Sequence, residues 1–215
     1  MSDESVKERI RYRQEHSVDP EAFLRDAGAI RPAEGDEQLQ FTSAFESRVR
    51  HHLERFRRDD VDPAAVARMF GVEEADVEAV DRPYVAFKIV YTVRSWPSKG
   101  ALVFDAATDA TLREQSDEWN AVPPRQRYRI LQSLRSFQDE CFFCSGGITF
   151  DDEPVESCCS ERRVLRLYCS KCGRRFLEFA VDGTQAVACL LYDDPYRTSE
   201  LEAPDDDRSE AAADD

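Results

Sequence analysis

Cysteines supply the clearest chemistry-bearing pattern in the chain. Cys141-Phe142-Phe143-Cys144 and Cys169-Ser170-Lys171-Cys172 are two C-x-x-C pairs separated by 24 residues. Two residues between cysteines let the backbone wrap as a knuckle that aims both sulfurs at one ion, and two knuckles complete a tetrahedron. Gly146, Gly147 and Gly173 follow the pairs and are expected to take positive φ where the chain turns around the metal. The expected ligands are therefore Cys141, Cys144, Cys169 and Cys172. Four soft thiolates suit Zn2+, and an iron centre would present the same residues. A disulfide framework, a pair of redox dithiols and buried structural thiols are the competing readings, and paired knuckles at this spacing favour metal.

Strand-forming segments must position the knuckles. Ile148-Thr149-Phe150 leaves the first pair, Val164 to Tyr168 enters the second, and Phe176 to Val181 leaves it. Asp182-Gly183 reads as a hairpin turn before a strand at Ala186 to Tyr192. Over residues 139 to 192 the chain resembles the zinc-ribbon superfamily, a resemblance carried by the two knuckles and their flanking strands. It implies a small antiparallel sheet stapled by metal, and says little about function. Cys158 and Cys159 read as loop thiols beside this site, and Cys189 as a buried core thiol.

The N-terminal half reads as helical. Short helices are expected near Val6 to Gln14 and Pro20 to Ala27, followed by a tether at Arg31 to Gly35. Ser43-Ala44-Phe45-Glu46 matches a capping box, and Phe45, Val49, Leu53 and Phe56 recur at helical spacing. Asp62-Pro63 opens another helix. Ala67, Gly71 four residues later and the apolar Val66, Phe70, Val72, Val77 and Val80 are similar to the helix-turn-helix pattern. An ordinary helical hairpin fits the same residues. Tyr84 to Val93 and Ala101 to Phe104 read as strands around a turn at Trp96 to Gly100, so the whole resembles a winged helix with Arg94, Trp96 and Lys99 on its wing. A single buried helix from Tyr84 to Ser95 is the alternative. Asp109 to Glu118 and Arg125 to Asp139 read as helices, the latter with Tyr128, Leu131 and Leu134 inward and Arg125, Arg127, Arg129 and Arg135 at its polar side.

Charge bounds the class of partner. Acidic residues outnumber basic ones by 44 to 29, and only Lys7, Lys88, Lys99 and Lys171 are lysines. Acidity with arginine in place of lysine resembles the proteomes of salt-loving archaea, which makes the net charge of −15 a statement about habitat. Residues 41 to 192 hold 24 acidic and 21 basic residues, so the basic charge concentrates there. The segment at Glu73, Glu74, Asp76 and Glu78 has no basic residue and would repel phosphates. The arginine-rich stretches are Arg48 to Arg58, Arg125 to Arg135 and Arg162 to Arg175, with Arg94, Lys99, Arg125, Arg129, Arg174 and Arg175 as candidate contacts for nucleic acid or a partner. A solvated, salt-bridged face is the simpler reading of the same charges.

His16, His51 and His52 are the only histidines, and neither a phosphate-binding glycine loop nor a dinucleotide fingerprint occurs. The expectation is a non-enzymatic, cytoplasmic α+β protein with Zn2+ as its cofactor, without a membrane span or small-molecule substrate. Its parts are an acidic extension over 1–40, a helix-turn-helix or winged-helix region over 41–105, linking helices over 106–139, a zinc ribbon over 140–192 and a disordered acidic tail over 193–215. In order of parts it resembles archaeal transcription initiation factors of the E type, which implies a transcription- or DNA-associated regulator. An adaptor that binds only proteins is the alternative. A protein partner is expected, and DNA stays open.

Overall fold

One helix is buried on every side, and the other elements pack around it. The structure, a computed structural model, describes residues 7–181 apart from 9, 10, 13, 34, 36, 37, 158 and 159. In chain order its elements are α1 (Pro20–Asp26), β1 (Ile30–Pro32), β2 (Leu39–Phe41), α2 (Ser43–Asp59), α3 (Pro63–Phe70), β3 (Val77–Ala79), β4 (Val85–Ile89), β5 (Thr92–Trp96), α4 (Lys99–Gln115), α5 (Pro124–Leu134), β6 (Ile148–Ser157), β7 (Ser160–Cys169) and β8 (Arg175–Val181). Among the described residues the strands form three antiparallel sheets, β1–β2, β3–β4–β5 and β6–β7–β8. The class is α+β, with helices in the N-terminal half and a small antiparallel sheet at the C-terminal end.

α4 is the central helix. Ser98 caps it, accepting from Ala101 N at 3.1 Å, and every residue from Gly100 to Asp109 is buried. A helix apolar all round belongs in a core. Its polar side chains are satisfied locally or across the fold, as burial demands. Thr108 and Thr111 donate to carbonyls four residues back, at 2.8 and 2.9 Å. Asp105 takes an N–H from Trp96 at 2.8 Å and from Arg135 Nε at 2.8 Å, with a second Arg135 bond through Nη2. One turn on, Asp109 takes an N–H from Trp119 at 2.9 Å and from Arg113 Nε at 2.7 Å. Arg135 also donates to the carbonyl of Phe176 at 3.1 Å, so the same guanidinium reaches β8.

Several sequence expectations change here. Ala101 to Phe104 is not a strand of a wing but the first part of α4, because the apolar run continues through Ala106, Ala107 and Leu112. Tyr84 to Val93 is not one strand; β4 and β5 form a hairpin turning at Val90-Tyr91. After Gly71, which caps α3 in the left-handed region at φ 63°, there is no second helix of a helix-turn-helix. Glu74–Asp76 is one 3-10 turn and Val77–Ala79 is the strand β3, paired with β4. β-branched Val77 and the pairing available on β4 outweigh the helical spacing there. The cap of α2 is Thr42 rather than Ser43, accepting from Phe45 N at 3.2 Å. The expected tether at Arg31 to Gly35 includes β1, which pairs with β2.

Nor does the expected extension over residues 1–40 stand apart. Residues 7, 8, 11, 12, 14 and 15 are helical, and Val18 exchanges hydrogen bonds with the Gln126 side chain on α5. Phe23, Leu24 and Ile30 share one apolar core with Phe45, Leu53, Phe104, Leu131 and Phe142. α4 runs across the expected boundary at 105, so the segments 41–105 and 106–139 do not have separate cores. Arg127 and Arg135, placed on the polar side of the α5 segment by sequence, are buried. The strand expected at Ala186 to Tyr192, Cys158, Cys159, Cys189 and the acidic tail lie outside the described residues.

Asp105 is 0% and Arg135 1% exposed, so each ion depends on the other. Arg135→Met leaves a buried carboxylate without its counter-charge and is expected to cost about 3–5 kcal/mol. Asp105→Leu combined with Arg135→Met removes both charges and is expected to recover most of that loss. Urea denaturation of the two variants measures the difference.

Candidate metal centre

Each sulfur is placed by a turn at a strand end. Cys141 and Cys144 occupy the turn before β6, closed by Ser145 N donating to Cys141 O at 2.8 Å. Cys169 ends β7, and Gly173 N donates back to its carbonyl at 2.9 Å, which brings Cys172 round. Ser170 N donates to Gly147 O at 3.0 Å and locks one knuckle against the other.

The four Sγ atoms all lie within 4.8 Å of one another, with Cys141 and Cys172 3.8 Å apart and Cys144 and Cys169 3.5 Å apart. A tetrahedral ion bonded to sulfur at about 2.3 Å requires sulfur separations near 3.8 Å. Geometry and donor type therefore fit a metal ion held by all four cysteines. Cys141 and Cys169 are fully buried, whereas Cys144 and Cys172 reach the surface.

Electrostatics point the same way. Burial pushes the Cys141 thiol up to about 12, against N–H donors from Phe143 and Cys144. Burial also opposes the Cys172 thiolate, but the N–H of Arg174, its side chain and the neighbouring thiols bring Cys172 down to about 6. Four thiols in one shell cannot all ionise beside each other without a cation, and a bound metal supplies that charge.

The turn chemistry differs from the expectation in one respect. Positive φ falls on Gly173 (68°) and on Ser145 (52°), not on Gly146 or Gly147. Gly146 is needed for space: a Cβ there would lie 2.5 Å from Lys171 Cβ and 3.0 Å from Cys169 Sγ. The glycine lets one knuckle pass against the sulfurs of the other.

Phenylalanines inside the first knuckle anchor it to the helices, a role the sequence reading missed. Phe142 packs edge-on to Phe104 of α4 at 5.3 Å between centroids and belongs to the main core. Arg50 of α2 sits 4.6 Å over its ring, while Arg57 and Arg174 sit 5.5 and 4.7 Å over Phe143. Such cation–π contacts occupy the guanidinium faces. Two large apolar residues between paired cysteines were the available signal.

Several of the six candidate contact residues are engaged within the fold. Arg94 lies over Tyr128, Lys99 pairs with Asp60, Arg174 covers Phe143 and Arg175 bonds Glu178 at 2.8 Å. Arg125 and Arg129 share α5 with the buried Arg127. Arg163 pairs with Asp152, and Arg166 lies 3.4 Å from Glu178. Among the histidines, His52 is buried with Nε2 3.0 Å from Glu114, and His16 stacks on Tyr12. No helix among the described residues is long and apolar enough to cross a membrane.

Purified protein is expected to carry one metal ion per chain by elemental analysis, and Cys172→Ser to lose it. Gly146→Ala is expected to weaken metal affinity about 10–100-fold in a competitive chelator titration, the scale seen when a shell around the ligands is disturbed. Cys158→Ser and Cys159→Ser are expected to leave metal content unchanged.

Comparison with known proteins assigns the chain on both sides of residue 138. Residues 19–136 match the central-domain model of a family of unknown function, DUF8054, and residues 139–179 match the C-terminal-domain model of the same family. The C-terminal match contains both knuckles. No curated protein and no solved structure matches the chain. With more than half of its residues inside the central domain and the four cysteines inside the C-terminal one, the chain belongs to the DUF8054 family.

Proposed function

We propose that this chain is a non-enzymatic zinc protein in which a structural ion holds a ribbon-like sheet onto a helical body, and that its task is to bind another protein. The observation that carries the zinc reading is the closed shell of four sulfurs. It offers no open coordination position for a substrate or an activated water. Among the described residues the histidines are engaged in packing or stacking, and no nucleophile with a base beside it accompanies the four cysteines.

Protein binding is favoured over a transcription- or DNA-associated role by where the charges and the apolar groups go. Of the candidate contacts, Arg94 and Arg174 are stacked on rings and Arg175 is paired with Glu178, and the acidic turn at Glu74–Asp76 occupies the place of a reading helix. Exposed apolar side chains instead concentrate on one hairpin. Tyr91, at the tip of β4–β5, is 92% exposed, with Val93 and Tyr84 also exposed nearby in sequence. Val90 beside it holds a φ of 55°, a conformation a β-branched residue adopts under strain. Aromatic tips of this kind are enriched among residues that anchor interfaces.

Tyr91→Ser with Val93→Ser is expected to abolish co-purification of the partner that wild-type protein retains from native extract, with zinc content and thermal midpoint unchanged. A gel shift in a potassium chloride series is expected to show no salt-dependent DNA binding. Retention of the same partner by the double variant, or DNA binding whose affinity falls steadily with salt, overturns the proposal.

A further inference from the structure

Most charged side chains described above have a partner of opposite sign or an aromatic ring from another element. Two arginines on neighbouring helices do not. Arg68 of α3 is exposed, and its side chain meets no carboxylate among the described residues. Arg55 of α2 is exposed and lies over the ring of its own neighbour Phe56, 4.9 Å from the centroid.

They border the same crevice. It lies where α2, α3 and α4 meet, has a volume of about 50 Å³, and is lined by small apolar residues Ala65, Ala106 and Ala110 as well as by Asp109 and Arg113. A space of that size takes a few waters or one tetrahedral oxyanion. The single carboxylate at its floor is already neutralised. Asp109 accepts from Trp119 and twice from Arg113, and Arg113 is fixed in turn by Arg68 O at 2.6 Å and by Asn120. Arg127 on α5 is buried, its Nε has no hydrogen-bond partner, and burial and then the charge of Arg113 lower its pKa. Three guanidiniums, those of Arg55, Arg68 and Arg113, thus line the crevice with one carboxylate.

We infer that the crevice between α2, α3 and α4 binds a single phosphate group, held between Arg55 and Arg68. Planar guanidiniums match tetrahedral oxyanions through paired N–H donors, and two of them match the double charge of a phosphate. The volume admits the phosphate alone, so any group esterified to it lies outside. This site is distinct from the metal centre and independent of the protein-binding reading.

Trp119 gives the test its probe, because its indole N–H bonds the carboxylate at the crevice floor. Inorganic phosphate titrated into the full chain is expected to shift the Trp119 indole N–H resonance saturably and leave that of Trp96 in place. Potassium chloride at equal ionic strength is expected to do neither. Arg55→Gln and Arg68→Gln, both at exposed positions, are each expected to weaken the response at least tenfold, while Arg48→Gln, on the exposed side of α2, leaves it unchanged. O-phosphoserine that competes with inorganic phosphate identifies a phosphomonoester as the ligand class; failure to compete identifies free phosphate. A shift that chloride reproduces, or one that survives in Arg55→Gln and Arg68→Gln, overturns the inference.

Discussion

Arg135 lies almost wholly out of reach of water, and it is tolerable there only because Asp105 faces it. Burial by itself would depress the guanidinium, and the carboxylate more than restores it, raising Arg135 above its ordinary value. The pair is a joint as well as a charge balance. Trp96 brings the β3–β4–β5 sheet to Asp105, and Arg135 carries the contact on to Phe176 in β8. Central helix, hairpin sheet and cysteine-bearing sheet thus meet at one carboxylate. Ions this deeply buried add little stability relative to apolar residues, but they penalise any arrangement that separates them.

The cysteine-bearing sheet is held in place by more than this joint. Ser98, which caps α4, also donates to Arg175 O at 2.6 Å, and Arg174 packs where a Cβ on Gly100 would lie 2.9 Å from its Cδ. Phe142, between the first two cysteines, is itself part of the main core. The four sulfurs therefore fix a sheet whose aromatic residues are already part of the helical body. Holding that sheet is the role a closed thiolate shell suits best.

How much of this was legible in the residues depends on range. The knuckles are local patterns, and the structure brings their four sulfurs together as spacing alone implied. Helices α2 and α3 follow from periodicity and caps, though Thr42 rather than Ser43 does the capping. The errors came where long-range partners decide. Asp105 and Asp109 stand one helical turn apart inside the apolar run Ala101 to Leu112, and two carboxylates in such a run require buried cations. That signal was present, but Arg135 was placed on the polar side of its helix because its partner lies 30 residues away in a run read partly as strand. Val77 to Val80 has helical spacing and becomes a strand only because β4 is beside it.

The cysteine site and the helical body are expected to behave as one cooperative unit. Amide hydrogen exchange, followed before and after the metal is removed by a chelator, tests it most directly. Protection is expected to fall in α4 around Asp105 together with the amides of β7 and β8. Loss of protection confined to residues 139–181, with α4 unchanged, would contradict it.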